Sequence, residues 1–306
     1  MVDNFADRLL SAIEAKGSPV CVGLDPAYDK LPKGLQRKVK DEVEQTRIVG
    51  DFCRTVLEAI APVVPGVKIQ SAYFERYGAA GVDLYERITV RARNLGLVVI
   101  GDVKRNDIGP TAQAYATGHL LQARTTSASS DRNPDAVTVN GYFGADGIQP
   151  FVDVAEKEGK GVFVLVRTSN PSGAAVQDFA DASGKKLYEH MAGIVAGIGD
   201  GPGLVGQRGY SCVGAVVGAT YPAEARRLRE LMPRQIFLVP GYGAQGATAA
   251  DCAAAFKADG TGAIVNASRS VIYAYADKKY AGMDWKKAVE QAAKDFARDI
   301  RDAVKR

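Results

Sequence analysis

Leu97-Val-Val-Ile-Gly-Asp-Val103, continuing as Lys104-Arg-Asn-Asp-Ile-Gly-Pro-Thr111, compresses the architecture of the chain into fifteen residues. It starts as a near-continuous apolar run, the pattern of a strand buried on both faces of a parallel sheet. It ends in charged residues, then a Gly-Pro pair that opens a helical stretch from Gly109 to Ala123. Outward from it the same unit recurs. Short apolar runs lie at Val20 to Leu24, Val67 to Ser71, Ala136 to Asn140 and Gly161 to Arg167. Three more follow at Cys212 to Gly218, Gln235 to Val239 and Ala263 to Asn266. Helical stretches alternate with them, among them Val43 to Ile60, Lys185 to Ile198, Pro222 to Leu231 and Ala247 to Ala258. Eight strands alternating with helices, without an evident linker, predict an α/β fold with residues 1–306 as a single (β/α)8 TIM barrel domain.

Bulk properties narrow the functional classes. Hydrophobic residues make up 46% and charged residues 24% of the 306, the balance of a soluble globular chain with a sizeable core. No apolar run approaches the ~20 residues of a membrane span. The first residues read as an amphipathic helix capped by Asp3, with Phe5, Leu9, Leu10 and Ile13 on one face and Gly17 as its stop. That is not a signal peptide, so a cytoplasmic location is expected. Cys21, Cys53, Cys212 and Cys252 are scattered without a CxxC pair and read as free, buried thiols. The two histidines, His119 and His190, lie in no metal-ligand pattern. The net charge of +4 comes without a basic run long enough to suggest a nucleic-acid stripe, and fits a small anionic ligand equally well.

One irregularity lies in the enlarged interval between strands five and six. It contains Gly201-Pro-Gly-Leu-Val-Gly206, formally a GxGxxG. A helix precedes it and a strand follows, the reverse of the dinucleotide motif, so a surface loop is expected there.

The candidate chemistry sits at strand ends. Side chains repeat every two residues in a strand, so Asp102 and Lys104 share a face, and at a C-terminal strand end that face is the barrel mouth. Asp107 follows in the loop. An isolated DxKxxD is ordinarily a solvated ion pair. Here, however, the neighbouring strand reads Pro65-Gly-Val-Lys-Ile-Gln-Ser71 and places Lys68 in an apolar run, where a lysine is costly unless paired. Lys68, Asp102, Lys104 and Asp107 can therefore meet as an alternating array. On the opposite side, Val239-Pro-Gly-Tyr-Gly-Ala-Gln-Gly246 offers backbone amides to an anion, and Arg269 in Asn266-Ala-Ser-Arg-Ser270 could fork onto phosphate oxygens. A tight turn with a surface arginine is the alternative reading of these two loops.

GDVKRNDIGPTA, KIQSAYFE, VRTSNPSG, VPGYGAQGA and NASRS together resemble the orotidine 5'-monophosphate decarboxylase family, in its longer bacterial branch, from about Val20 to Ala274. The resemblance implies a cofactor-free and metal-free carboxy-lyase acting on orotidine 5'-monophosphate. It makes Lys68, Asp102, Lys104 and Asp107 the catalytic tetrad. It places Asp25 at the ribose, Ser169 at the pyrimidine, and Pro240, Gln245 and Arg269 at the phosphate and lid. It further implies a homodimer in which Asp107, Ile108 and Thr111 are lent across the interface. Asn106 departs from the family pattern, where glycine is expected. Asparagine tolerates left-handed backbone, so the loop shape is expected to survive. Two other functions are compatible with these residues. One is a magnesium-dependent sugar-phosphate decarboxylase or aldolase of the same barrel group, the other a non-catalytic phosphoribosyl-ligand binder.

Overall fold

The computed structural model describes residues 3–37, 39, 41–121 and 132–305. Its eight strands are β1 (Val20–Leu24), β2 (Gly66–Gln70), β3 (Val98–Arg105), β4 (Ala136–Val139), β5 (Gly161–Arg167), β6 (Ser211–Val217), β7 (Gln235–Pro240) and β8 (Ala263–Ala267). All neighbours pair in parallel, and β8 returns to β1 to close the barrel. The eight expected strands are all present, with ends displaced by a residue or two. Their apolar side chains are buried almost without exception, as sandwiching between an inner core and an outer helical ring requires.

The helices follow the same logic. Glu42–Ile60 is capped by Asp41, whose carboxylate accepts from Glu44 N, and buries Val49, Phe52, Cys53, Val56, Leu57 and Ile60 along one stripe. Several helix boundaries differ from the sequence reading, among them Leu187–Gly199 in place of the expected Lys185 to Ile198. The N-terminal helix, Phe5–Lys16, is capped by Asn4, not Asp3, because the Asn4 side chain accepts from Ala6 N. The expected helix from Ala247 to Ala258 is confined to Ala249–Ala253. Thr248 and Asp251 form a capping box that sets its start, and Ala254, Ala255 and Phe256 then bond three residues back, tightening the chain out of α-geometry. The helix from Gly109 is observed to Leu120, while residues 122 and 123 lie outside the described residues. All four cysteines are free and buried. Among the described residues no helix is long and apolar enough to cross a membrane.

The N-terminal helix closes the bottom of the barrel. Phe5 packs edge-on against Phe163 at a centroid distance of 5.8 Å. The Gly201–Gly206 segment lies at the same end: Asn4 donates to Leu204 O, and Asp7 accepts from the amides of Gln207 and Arg208. This glycine-rich loop therefore packs on a helix far from the mouth.

Candidate active site

The mouth opens on a cavity of about 620 Å³ at the C-terminal ends of the strands. Its floor is organised by Asp102. The side chain is only 6% exposed, yet each carboxylate oxygen has two partners. Lys68 Nζ at 2.5 Å and Gln70 Nε2 at 2.9 Å reach Oδ2. Lys104 Nζ at 2.5 Å and the Thr138 hydroxyl at 2.9 Å reach Oδ1. Burial alone would raise the Asp102 pKa, but the two ammoniums and their hydrogen bonds hold it well below the usual carboxylate range. For Lys68 the balance runs the other way: burial would strip its proton, and Asp102 and then Asp25 keep it charged. Of the expected Lys68–Asp102–Lys104–Asp107 array, the first three meet across adjacent strands, while Asp107 does not line the same cavity.

The local backbone explains how two residues of one strand and one of the next converge. Between Gly101 and Arg105 the pairing of β3 with β4 shifts register, so β3 carries extra residues opposite Thr138. Lys104 sits in this irregularity with φ 45°, the one positive φ of a non-glycine among the described residues. The Thr138 hydroxyl accepts from Lys104 N at 3.0 Å while donating to Asp102. The left-handed residue in this segment is therefore Lys104 and not Asn106, contrary to the sequence expectation. The bulge and this left-handed backbone set the position from which the Lys104 ammonium meets Asp102 Oδ1. Such strain in a long side chain is uncommon and collects at functional sites.

The cavity is also lined by Asp25, Ser169, Pro240, Gln245 and Arg269, as expected from the sequence. One oxygen of Asp25 is buried without a hydrogen-bond partner. Ser169 is framed by its loop: Gln177 bonds both the amide and the hydroxyl of Thr168, and buried Arg167 donates to Gln177 and forms an ion pair with Asp178 beneath a stacked Tyr221. Gly218 lets this loop lie close, since a Cβ there would stand 3.0 Å from Ser169. In the β7 loop, Gly241, Gly243 and Gly246 all adopt positive φ, the conformation for which this sequence supplies glycine.

Asp107, Ile108 and Thr111 stand apart: none lines the cavity of its own chain. The Asp107 carboxylate accepts from the adjacent Ile108 N, and Ile108 is 55% exposed. Several cavity residues were not anticipated. Gln70 lies two residues beyond Lys68 on β2, so the strand period could have exposed it. Thr138 lies in an apolar run whose register with β3 only the fold reveals, and Lys30 on the β1 loop carries no local signal at all.

A family model described as orotidine 5'-phosphate decarboxylase / HUMPS family matches residues 18–283. The chain belongs to this family. It is 42% identical over 298 residues to an orotidine 5'-phosphate decarboxylase of Rhodopirellula baltica, covering 94% of this chain and 96% of that protein. It is 39% identical over 307 residues to one from Caldicellulosiruptor bescii, covering 98% and 99%. Among solved structures, Leishmania donovani OMP decarboxylase superposes with a TM-score of 0.75 at 30% identity, covering 98% of each chain. Family, relatives and structural neighbours agree on a carboxy-lyase of the orotidine 5'-phosphate decarboxylase type.

Proposed function

We propose that the chain, acting as one barrel domain, converts orotidine 5'-monophosphate to UMP and carbon dioxide by holding charge rather than by borrowing an electron sink. The observation that carries this reading is the Lys68–Asp102–Lys104 array at the floor of a cavity whose rim holds Arg269. Departure of carbon dioxide leaves an electron pair at C6 of the pyrimidine. Lys104, half-exposed to the cavity, places its ammonium against that charge and donates the proton that replaces carbon dioxide. Asp102 orients Lys104, and Lys68 in turn fixes Asp102. Ser169 reads the pyrimidine, Asp25 accepts from the ribose with its unpartnered oxygen, and Pro240, Gln245 and Arg269 enclose the phosphate. Binding energy from the phosphate, remote from the bond that breaks, can be used to close the loops.

The donor set around Asp102 also bears on the magnesium-dependent alternative. Both its oxygens are met by ammoniums, an amide and a hydroxyl, the partners of a bare carboxylate and not of a cation's ligand. The deciding experiment incubates metal-stripped protein with orotidine 5'-monophosphate and follows the ultraviolet change to UMP. Full turnover in EDTA is expected. Activity that vanishes with EDTA and returns with magnesium would move the protein to the sugar-phosphate chemistry of the same barrel group.

Asp107 completes the tetrad from a second chain of a homodimer. The support is its absence from its own cavity, together with the uncharged exposed face of the Gly109–Leu120 helix beside Ile108 and Thr111. A two-fold dimer makes the loan reciprocal. Lys104→Ala and Asp107→Ala chains refolded in equal amounts should form heterodimers in about half of cases, with roughly a quarter of all sites intact. A mixture that stays inactive although chain exchange is confirmed by mass would return Asp107 to its own chain.

A further inference from the structure

The charges around the cavity do not balance, and the imbalance has a location. Four cations, Lys30, Lys68, Lys104 and Arg269, line it against two carboxylates, Asp25 and Asp102. Lys68 lies in the fields of both carboxylates, and Lys104 is bonded to Asp102, so these four groups neutralise one another at the floor. Lys30 and Arg269 are left over. Among the described residues Arg269 hydrogen-bonds only the carbonyl of Ala244, at 3.4 Å, and Lys30 has no carboxylate within salt-bridge range. Two uncompensated charges facing one cavity match a dianion.

The two are also tied together by the fold. β1 and β8 are neighbours, with Cys21 opposite Asn266 and Val22 opposite Ala267, so the loops after them share one sector of the rim. The turn that begins at Arg269 sends two tyrosines back onto the β1 loop. Tyr273 donates to Asp25 O at 2.7 Å and accepts from Ala27 N at 2.7 Å, and Tyr275 donates to Lys30 O at 2.6 Å. The backbone of Lys30 is therefore anchored to the segment that carries Arg269, while its ammonium stays free to swing over the cavity.

We infer that Lys30 is a second phosphate-binding cation, sharing the dianion with Arg269. This rests on the orotidylate reading above, which supplies a phosphorylated ligand. Being exposed, Lys30 acts through a screened attraction that weakens as salt rises. The test measures binding of UMP and of uridine, by calorimetry at low and high salt, to wild type, Lys30→Gln and Lys30→Arg. Lys30→Gln should lose about tenfold to a hundredfold in UMP affinity, the range of one charge-assisted hydrogen bond, with uridine unchanged. Lys30→Arg should retain most of the UMP affinity, and the salt dependence of UMP binding should flatten in Lys30→Gln. Equal UMP affinity in wild type and Lys30→Gln, or equal loss for UMP and uridine, overturns the role of Lys30 alone. A wild type that binds UMP no better than uridine overturns the phosphate site altogether.

Discussion

Each end of the barrel buries an aspartate between two basic side chains, and the two clusters are built to opposite ends. At the bottom, Asp135, 2% exposed, accepts from Val99 N at 2.9 Å and from Arg8 at 2.9 Å, with Arg93 at 3.8 Å. Arg8 is itself held by Gly159 O. These partners include a backbone amide and come from the N-terminal helix, the Gly78–Asn94 helix and β3, so the cluster locks the plug onto the barrel. At the mouth, Asp102 is also buried, but of its two lysine partners Lys104 is half-exposed on a strained backbone beside open space. Burial of a charged pair therefore does not distinguish function from architecture. What distinguishes them is a donor left able to turn toward a ligand. Barrels as a class keep chemistry at the top and stability at the bottom.

Substitutions at the two ends should separate activity from stability. The largest effect is expected from Lys104→Ala, which should lower kcat at least about a thousandfold through loss of transition-state charge stabilisation and the proton donor. Its thermal midpoint and UMP affinity should stay near wild type. Activity within about tenfold of wild type, a change of ~1.4 kcal/mol, would remove Lys104 from the chemistry. Next comes Arg269→Ala, which should depress kcat/KM for orotidine 5'-monophosphate strongly while leaving the phosphate-free nucleoside nearly unaffected. Equal damage to both would place Arg269 away from the phosphate. The smallest effect on turnover belongs to Asp135→Ala. It should cost about 1–3 kcal/mol of stability, measured by denaturant unfolding, because a buried backbone donor and two guanidiniums lose their acceptor. Turnover per folded molecule should remain at the wild-type level, and a selective loss of kcat would collapse the distinction between the two ends.

The parts of this contrast that were legible in the sequence are those carried by pattern. Near-continuous apolar runs announced the strands, and Lys68 was conspicuous because a lysine in such a run needs a partner on a neighbouring strand. The bottom cluster was not legible, since Arg8, Arg93 and Asp135 are distant in sequence and each reads as an ordinary charged residue. Nor was the left-handed backbone at Lys104. It arises from the slip between β3 and β4, a tertiary event, whereas local preference pointed to Asn106. The N-cap moved by one residue from Asp3 to Asn4 because both side chains suit the position and only helix geometry chooses between them. Lys30 escaped for a further reason. Its significance lies in having no carboxylate partner among the described residues, and such an absence has no sequence signature.

Proton transfer at C6 is the step that ties the mouth cluster to its chemistry, and it can be observed from the product side. If Lys104 delivers a proton to the C6 carbanion, it must also be able to remove the C6 proton of bound UMP. UMP incubated with the protein in deuterium oxide, followed by proton NMR, reports that exchange directly. Wild type and Asp135→Ala should erase the C6 proton signal, and Lys104→Ala should leave it intact. Exchange by Lys104→Ala at the wild-type rate would contradict the assignment of Lys104 as the proton donor.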